Sequence, residues 1–177
     1  MKICIDPGHG GKDPGALGHA VEEADYNLIE ASILTAKLSA LGHKVLQTRT
    51  TDIFLELKQR VALAQKFGAD LFISIHANGA LTSAAEGMEV HYYKQNSMLV
   101  AKKIFQSMSE TFPKHKKRGV KLSNFYVIKW TTMPSVLIEG GFITNPKEQK
   151  FLFSKSDQIA MASAISRGVA EWSKHRR

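Results

Sequence analysis

Three apolar stretches of this chain each hand over, at their C-terminal end, to a residue that can bind metal or move a proton. Ile3-Cys4-Ile5 leads through Asp6-Pro7-Gly8 to His9, Leu71 to Ile75 leads directly to His76, and Ser135 to Ile138 leads directly to Glu139, with Gly140-Gly141 behind it. In open parallel sheets, sites form outside the carboxyl ends of the strands. If these strands are parallel neighbours, two imidazoles and a carboxylate converge on one rim. Two histidines and a carboxylate with a position left for water form a catalytic zinc set. A single histidine at a strand end is commonly just a polar group at the edge of the core. Three such residues after three separate strands carry the argument, because no local His-Glu-x-x-His signature is present.

Alternating strands and helices must position these residues. Ile3–Ile5 is a short strand, and a glycine-rich loop runs on to about Gly18. Leu28, Ala31, Thr35, Leu38 and Leu41 recur at helical spacing, closed by Gly42, and Lys44 to Thr48 reads as a second strand. Leu57, Val61, Ala64 and Phe67 line a helix closed by Gly68, and Asp70 opens the third strand. Glu86 to Tyr93 alternates as a strand nearer the edge, and Met98, Ala101, Phe105 and Met108 stripe a helix. Lys114 to Arg118 reads as a basic loop, Asn124 to Lys129 as a strand and Ser135 to Ile138 as the last strand. A closing helix carries Ala162, Ile165, Val169 and Trp172 and runs into the basic tail Lys174 to Arg177. The expected architecture is a three-layer α/β sandwich: a mixed, mainly parallel sheet of about six strands, one or two of them antiparallel, flanked by helices.

The 177 residues, 44% hydrophobic and 23% charged, read as one ordered domain spanning 1–177 with no separate second domain visible. One cysteine, Cys4, excludes an intramolecular disulfide and reads as an inert core residue. No apolar run is long enough to span a bilayer, and no signal peptide is visible. Action outside the cell then requires lysis, a holin or processing of a longer precursor. The net charge of +8 favours a polyanionic partner, such as nucleic acid, anionic lipid or an acidic wall polymer. Nucleic acid is set aside because no recognised module and no aromatic–basic interleaving is present.

Four blocks carry a resemblance: Ile5-Asp6-Pro7-Gly8-His9-Gly10-Gly11, Glu23-Ala24-Asp25-Tyr26-Asn27-Leu28, Ser74-Ile75-His76-Ala77-Asn78 and Val136 to Phe142. Together, in this order, they resemble the zinc-dependent N-acetylmuramoyl-L-alanine amidases of the amidase-3 type over nearly the whole chain. The resemblance implies one zinc ion held by His9, Glu23 and His76, with Glu139 as the catalytic carboxylate. Glu22 is adjacent to Glu23 and physics alone leaves both open; the family's Glu-x-Asp-x-Asn spacing picks Glu23. The implied reaction is hydrolysis of the amide joining the lactyl group of N-acetylmuramic acid to L-alanine of the stem peptide, at the cell wall. An autolysin, a sporulation lytic enzyme and a phage endolysin would share such a domain, and a monomer is expected.

Other residues read more plainly. The glycines at 8, 10 and 11 with Lys12 do not have phosphate-loop spacing. His91 reads as solvated or at an edge, His43 as structural, and His19, His115 and His175 as loop or tail residues. Arg49 and Arg60 read as fold or rim contacts. Asp6 and Asn78 either orient His9 and His76 or hydrogen-bond the loops. The run Lys114 to Arg118 is a solvated loop or attracts teichoic acids and stem carboxylates. Two rival functions are an inactive basic module binding wall polymer and a zinc carboxypeptidase-like enzyme. The second is weakened because Gly10-Gly11-Lys12 follows His9 where His-x-x-Glu is expected.

Overall fold

A computed structural model describes residues 1–175. The terminal pair 176–177 of the expected basic tail lies outside the described residues. Six strands form one sheet: β1 (Lys2–Pro7), β2 (Lys44–Gln47), β3 (Leu71–Asn78), β4 (Met88–Tyr92), β5 (Lys117–Leu122) and β6 (Ser135–Phe142). Their order is β2-β1-β3-β6-β4-β5. The four strands β2, β1, β3 and β6 are parallel, while β4 runs antiparallel to β6 and parallel to β5.

The helices are α1 (Glu23–Ala40), α2 (Leu57–Phe67), α3 (Met98–Thr111), α4 (Tyr126–Trp130), α5 (Pro146–Leu152) and α6 (Lys155–Ser173). Alternation along the central strands divides the core. Ile3, Ile5, Leu71, Ile73, Ile75, Val136 and Ile138 pack into the larger cluster, with α1, α3 and α6. Cys4, Phe72 and Leu137 point the other way, into a smaller cluster with Val61 and Ala64 of α2 and Val127 and Ile128 of α4. This is the expected three-layer α/β sandwich. Its central strands are near-continuously apolar because both faces are covered.

The sequence reading is corrected in five places. Residues 124–129 do not form a strand; α4 lies there, and β5 falls instead on Lys117–Leu122. A short apolar run such as Phe125 to Ile128 suits either element, because periodicity separates a strand from a helix only over longer stretches. The basic run Lys114 to Arg118 is therefore not all loop, since its last two residues open β5. The buried side of α1 comprises Tyr26, Asn27, Glu30, Ala31, Leu34 and Leu38, while Leu41 is exposed. Polar side chains at three of those buried positions disguised the phase of the stripe. Similarly, α3 buries Val100, Ala101, Ile104 and Met108, with Phe105 only half-buried. Leu57, placed on the apolar side of α2, is exposed.

Candidate metal centre and catalytic site

The parallel order β1-β3-β6 brings the ends of all three chemistry-bearing strands to one rim. His76 lies within β3 and is the direct partner of Glu139 on β6. His9 follows β1 in a left-handed backbone conformation, φ 59°. That conformation is costly for a residue with a Cβ and is characteristic of functional loops. Glu23 arrives from elsewhere, as the first residue of α1. Gly8 separates β1 from His9, and a Cβ there would overlap the His76 imidazole ring. Only glycine lets the loop pass so close to that ring.

One ligand atom each from His9, Glu23 and His76 lies within 4.8 Å of the others. His76 Nδ1 is 2.8 Å from Glu23 Oε1, and His9 Nε2 is 3.3 Å from Glu23 Oε2. The second nitrogen of His9, Nδ1, faces Asp13 Oδ2 at 2.9 Å. The Glu23 carboxylate also accepts from the backbone N–H of Ala16 and Ala77 and from Asn27 Nδ2. Burial acts to raise its pKa, but hydrogen bonds from His76 and His9 outweigh that and hold it well below the usual carboxylate range. Glu23 is thus an anion fixed between two imidazoles. Glu22, the alternative, is exposed at the cap of α1. The three donors fit a divalent cation of borderline softness, which takes nitrogen and carboxylate ligands together.

Glu139 is buried and its Oε2 has no partner among the described residues. Burial, followed by the charges of Glu23 and Glu89, pushes its carboxyl well above the usual range. An open cleft of about 290 Å³ is lined by His9, Glu23, His76, Asn78, Phe125 and Glu139. A second, of about 320 Å³, shares His9 and His76 and extends past Asp13, Phe54 and Arg60. The two imidazoles therefore stand between two open troughs.

The remaining residues sort by their hydrogen bonds. Asp6 touches neither histidine side chain: it accepts from Thr48 Oγ1 at 2.6 Å, Arg60 Nη1 at 3.0 Å and Ser74 Oγ at 2.9 Å. Arg60 also donates to the carbonyls of Pro7 and His9, and Arg49 to those of Pro7, Gly8 and Ala24. Both arginines are buried fold contacts that clamp the loop carrying His9. Asn78 donates to Glu89 Oε1 rather than to His76. The residue that does reach a histidine is Asp13, which sequence reasoning passed over. Its spacing of four from His9 was a usable signal, since a metal-binding imidazole commonly donates its other N–H to a carboxylate.

His91 is not solvated: it is buried against Phe125, between Glu89 and Ser123. His43 Nδ1 lies 3.5 Å from the N-terminal ammonium, and His115 packs between Phe112 and Phe151. Cys4 is fully buried, and burial pushes its thiol pKa up, as an inert core position requires.

A mixed, mainly parallel sheet gathers two histidines and two glutamates on one rim, an arrangement able to hold a metal ion beside a free carboxyl, as a class of hydrolases requires. The family profile described as N-acetylmuramoyl-L-alanine amidase matches residues 3–171. YqiI of Bacillus subtilis is 43% identical over 171 residues, covering 94% of this chain and 82% of that protein. The N-acetylmuramoyl-L-alanine amidase LytC of the same organism is 38% identical over 174 residues, covering 96% of this chain but only 35% of LytC. Among solved structures, the catalytic domain of CwlV, an N-acetylmuramoyl-L-alanine amidase from Bacillus (Paenibacillus) polymyxa, superposes with a TM-score of 0.94 at 37% identity over 99% of each chain. The chain belongs to the N-acetylmuramoyl-L-alanine amidase family.

Proposed function

We propose that this chain is a zinc-dependent peptidoglycan hydrolase that cleaves the amide between the lactyl group of N-acetylmuramic acid and L-alanine, acting at the cell wall as a monomer. Residues 1–177 form its single catalytic domain. The observation that carries the reading is the meeting of His9, Glu23 and His76 within 4.8 Å, with Glu139 one strand away from His76.

His9 through Nε2, Glu23 through its carboxylate and His76 through Nδ1 would hold the ion, because these atoms face one another. Zinc bound there supplies a Lewis acid that makes water a usable nucleophile near neutral pH and polarises a carbonyl. Asp13 fixes the tautomer of His9 by accepting from Nδ1, which leaves Nε2 free to ligate. Glu139 takes the proton from the attacking water on Oε2, which has no partner among the described residues. The water oxygen bonds to the amide carbon, and the same carboxyl then returns the proton to the leaving nitrogen as the carbon–nitrogen bond breaks. The amine of L-alanine could not depart unprotonated, so one carboxyl acting in both directions completes the reaction. Half-exposed cations on the chain, which carries +8 overall, would draw the protein toward anionic wall polymers.

No helix among the described residues is long and apolar enough to cross a membrane. The test is to offer the protein an N-acetylmuramoyl peptide and a free peptide of the same sequence. Release of the intact stem from the first and no cleavage of the second supports the amidase reading. Trimming of the free peptide would assign the site to a peptidase instead.

A further inference from the structure

Next to the cleft, four side chains converge on one buried carboxylate. Glu89 of β4 is the direct antiparallel partner of Glu139, so the two share a face of the sheet. Its Oε1 accepts from Asn78 Nδ2 at 2.9 Å and His91 Nε2 at 3.1 Å. Its Oε2 accepts from Arg118 Nε at 2.6 Å and Lys121 Nζ at 2.5 Å. On its other side, His91 Nδ1 lies 2.7 Å from the Ser123 hydroxyl.

Residues three apart on a strand normally point to opposite faces. Arg118 and Lys121 reach the same oxygen because β5 is bulged: its register with β4 runs from Met88–Lys117 to Glu89–Gly119, leaving Arg118 as the extra residue. Gly119 supplies the turn, with φ 97°. A bulge of this kind re-aims a side chain.

One cation would neutralise Glu89, and the bulge delivers two to the same oxygen. Arg118 spends only Nε on Glu89; its two terminal nitrogens have no hydrogen bond to another described residue, and its guanidinium lies 4.8 Å from the centre of the Phe142 ring. The side chains of Arg118 and Lys121 are 32% and 38% exposed. The link to the cleft is direct, since Asn78 lines it and donates to Glu89, and Phe125 lines it and packs on His91.

We propose that Arg118 and Lys121, positioned by Glu89, form a subsite for a carboxylate of the stem peptide, specifically the free α-carboxylate of a γ-linked glutamate at its second position. The proposal rests on the amidase reading for the identity of the substrate. The scale agrees: β5 lies two strand spacings, about 10 Å, from Glu139. The carboxylate of the second stem residue lies roughly 7 Å beyond the reacting carbon in an extended chain. Cationic side chains reaching inward from β5 close the difference. A planar guanidinium with its outer nitrogens free is the donor geometry that a carboxylate matches.

The experiment compares two N-acetylmuramoyl peptides that differ only in whether this carboxylate is free or amidated, using the zinc-loaded wild type, Arg118→Gln and Lys121→Met. Equilibrium binding of both peptides is measured alongside kcat and KM. The wild type is expected to favour the free acid about tenfold or more in KM, as a charge-assisted contact implies. Each variant is expected to bring that ratio toward one, with unchanged zinc content and an unchanged melting profile. Each leaves Glu89 one cation, which protects the fold. A wild-type ratio near one, or variants that weaken both peptides equally, overturns the subsite. If the wild type cleaves neither peptide yet binds the acid more tightly, the subsite stands and the hydrolase reading falls.

Discussion

His76 and Glu139 are direct partners across the β3–β6 ladder, so an imidazole of the candidate metal cluster and the carboxyl that would move protons ride on adjacent parallel strands. Strands fix side chains more firmly than loops do, and a catalytic pair held this way has little freedom to drift. Division of labour follows from the same relationship, because Glu139 faces the cluster without being one of the three converging donors. Glu139→Gln should therefore bind zinc with wild-type stoichiometry and lose at least about a hundredfold in kcat. A variant that keeps more than about a tenth of the wild-type rate removes Glu139 from the proton-transfer role.

Asp13 would act on a bound metal through His9, whose Nδ1 it meets at 2.9 Å. Its side chain is 43% exposed and lies at the cleft edge, so removing it leaves the core untouched. Asp13→Ala should weaken zinc affinity about 10- to 100-fold, in competition with a chromogenic chelator, while the melting temperature of the metal-free protein stays within a few degrees. Unchanged affinity would mean that the 2.9 Å contact with His9 Nδ1 has no part in holding the tautomer.

Glu30 sits in the middle of α1, fully buried, with neither carboxylate oxygen partnered among the described residues. Burial pushes its carboxyl well above the usual range. A raised carboxyl pKa has a definite sign: the folded state gains nothing from ionisation, so stability is lost as pH rises above the unfolded value of about 4.3 toward the folded one. Glu30→Leu should accordingly stabilise the protein by at least about 1 kcal/mol at pH 7, and by less at pH 5. Denaturant titrations at the two pH values check this, and a destabilised variant at pH 7 would show that Glu30 is paired in solution.

The opposite sign applies to Glu89. Burial alone would raise its carboxyl, but hydrogen bonds from His91, Lys121 and Arg118 outweigh it and hold the pKa at about 2. That contribution to stability is present above the unfolded pKa of about 4.3 and is lost as pH falls from there through the folded value. Between pH 5 and pH 2 the wild type should lose about 2 kcal/mol more than Glu89→Gln does, allowing for water around the half-exposed cations. Parallel acid limbs for the two proteins would contradict the four-donor arrangement.

Much of the site was legible because its residues follow apolar strands. His9, His76 and Glu139 are each announced by a run such as Leu71 to Ile75, and the order of the parallel strands does the rest. Glu23 is different: it begins a helix, brings no strand behind it, and needed the family spacing to separate it from Glu22. What escaped the sequence was polar material placed where apolar residues are expected. Tyr26, Asn27 and Glu30 are buried on α1 and shift its apparent stripe, and Arg60 is buried although it lies off the stripe of α2. The edge strand β5 was hidden for a related reason. Its sequence Lys-Arg-Gly-Val-Lys-Leu holds three cations and a glycine, and two of them, Arg118 and Lys121, are drawn inward by Glu89, a residue about thirty positions earlier in the chain. No local pattern contains that information.

The most direct test of the central claim is to digest purified cell walls with the protein of known metal content, with and without a chelator, and to identify the new chain ends. The account predicts one zinc ion per chain, newly exposed N-terminal alanine, loss of release on chelation and its recovery with added zinc. New reducing sugars, or alanine release that survives complete removal of the metal, would contradict it.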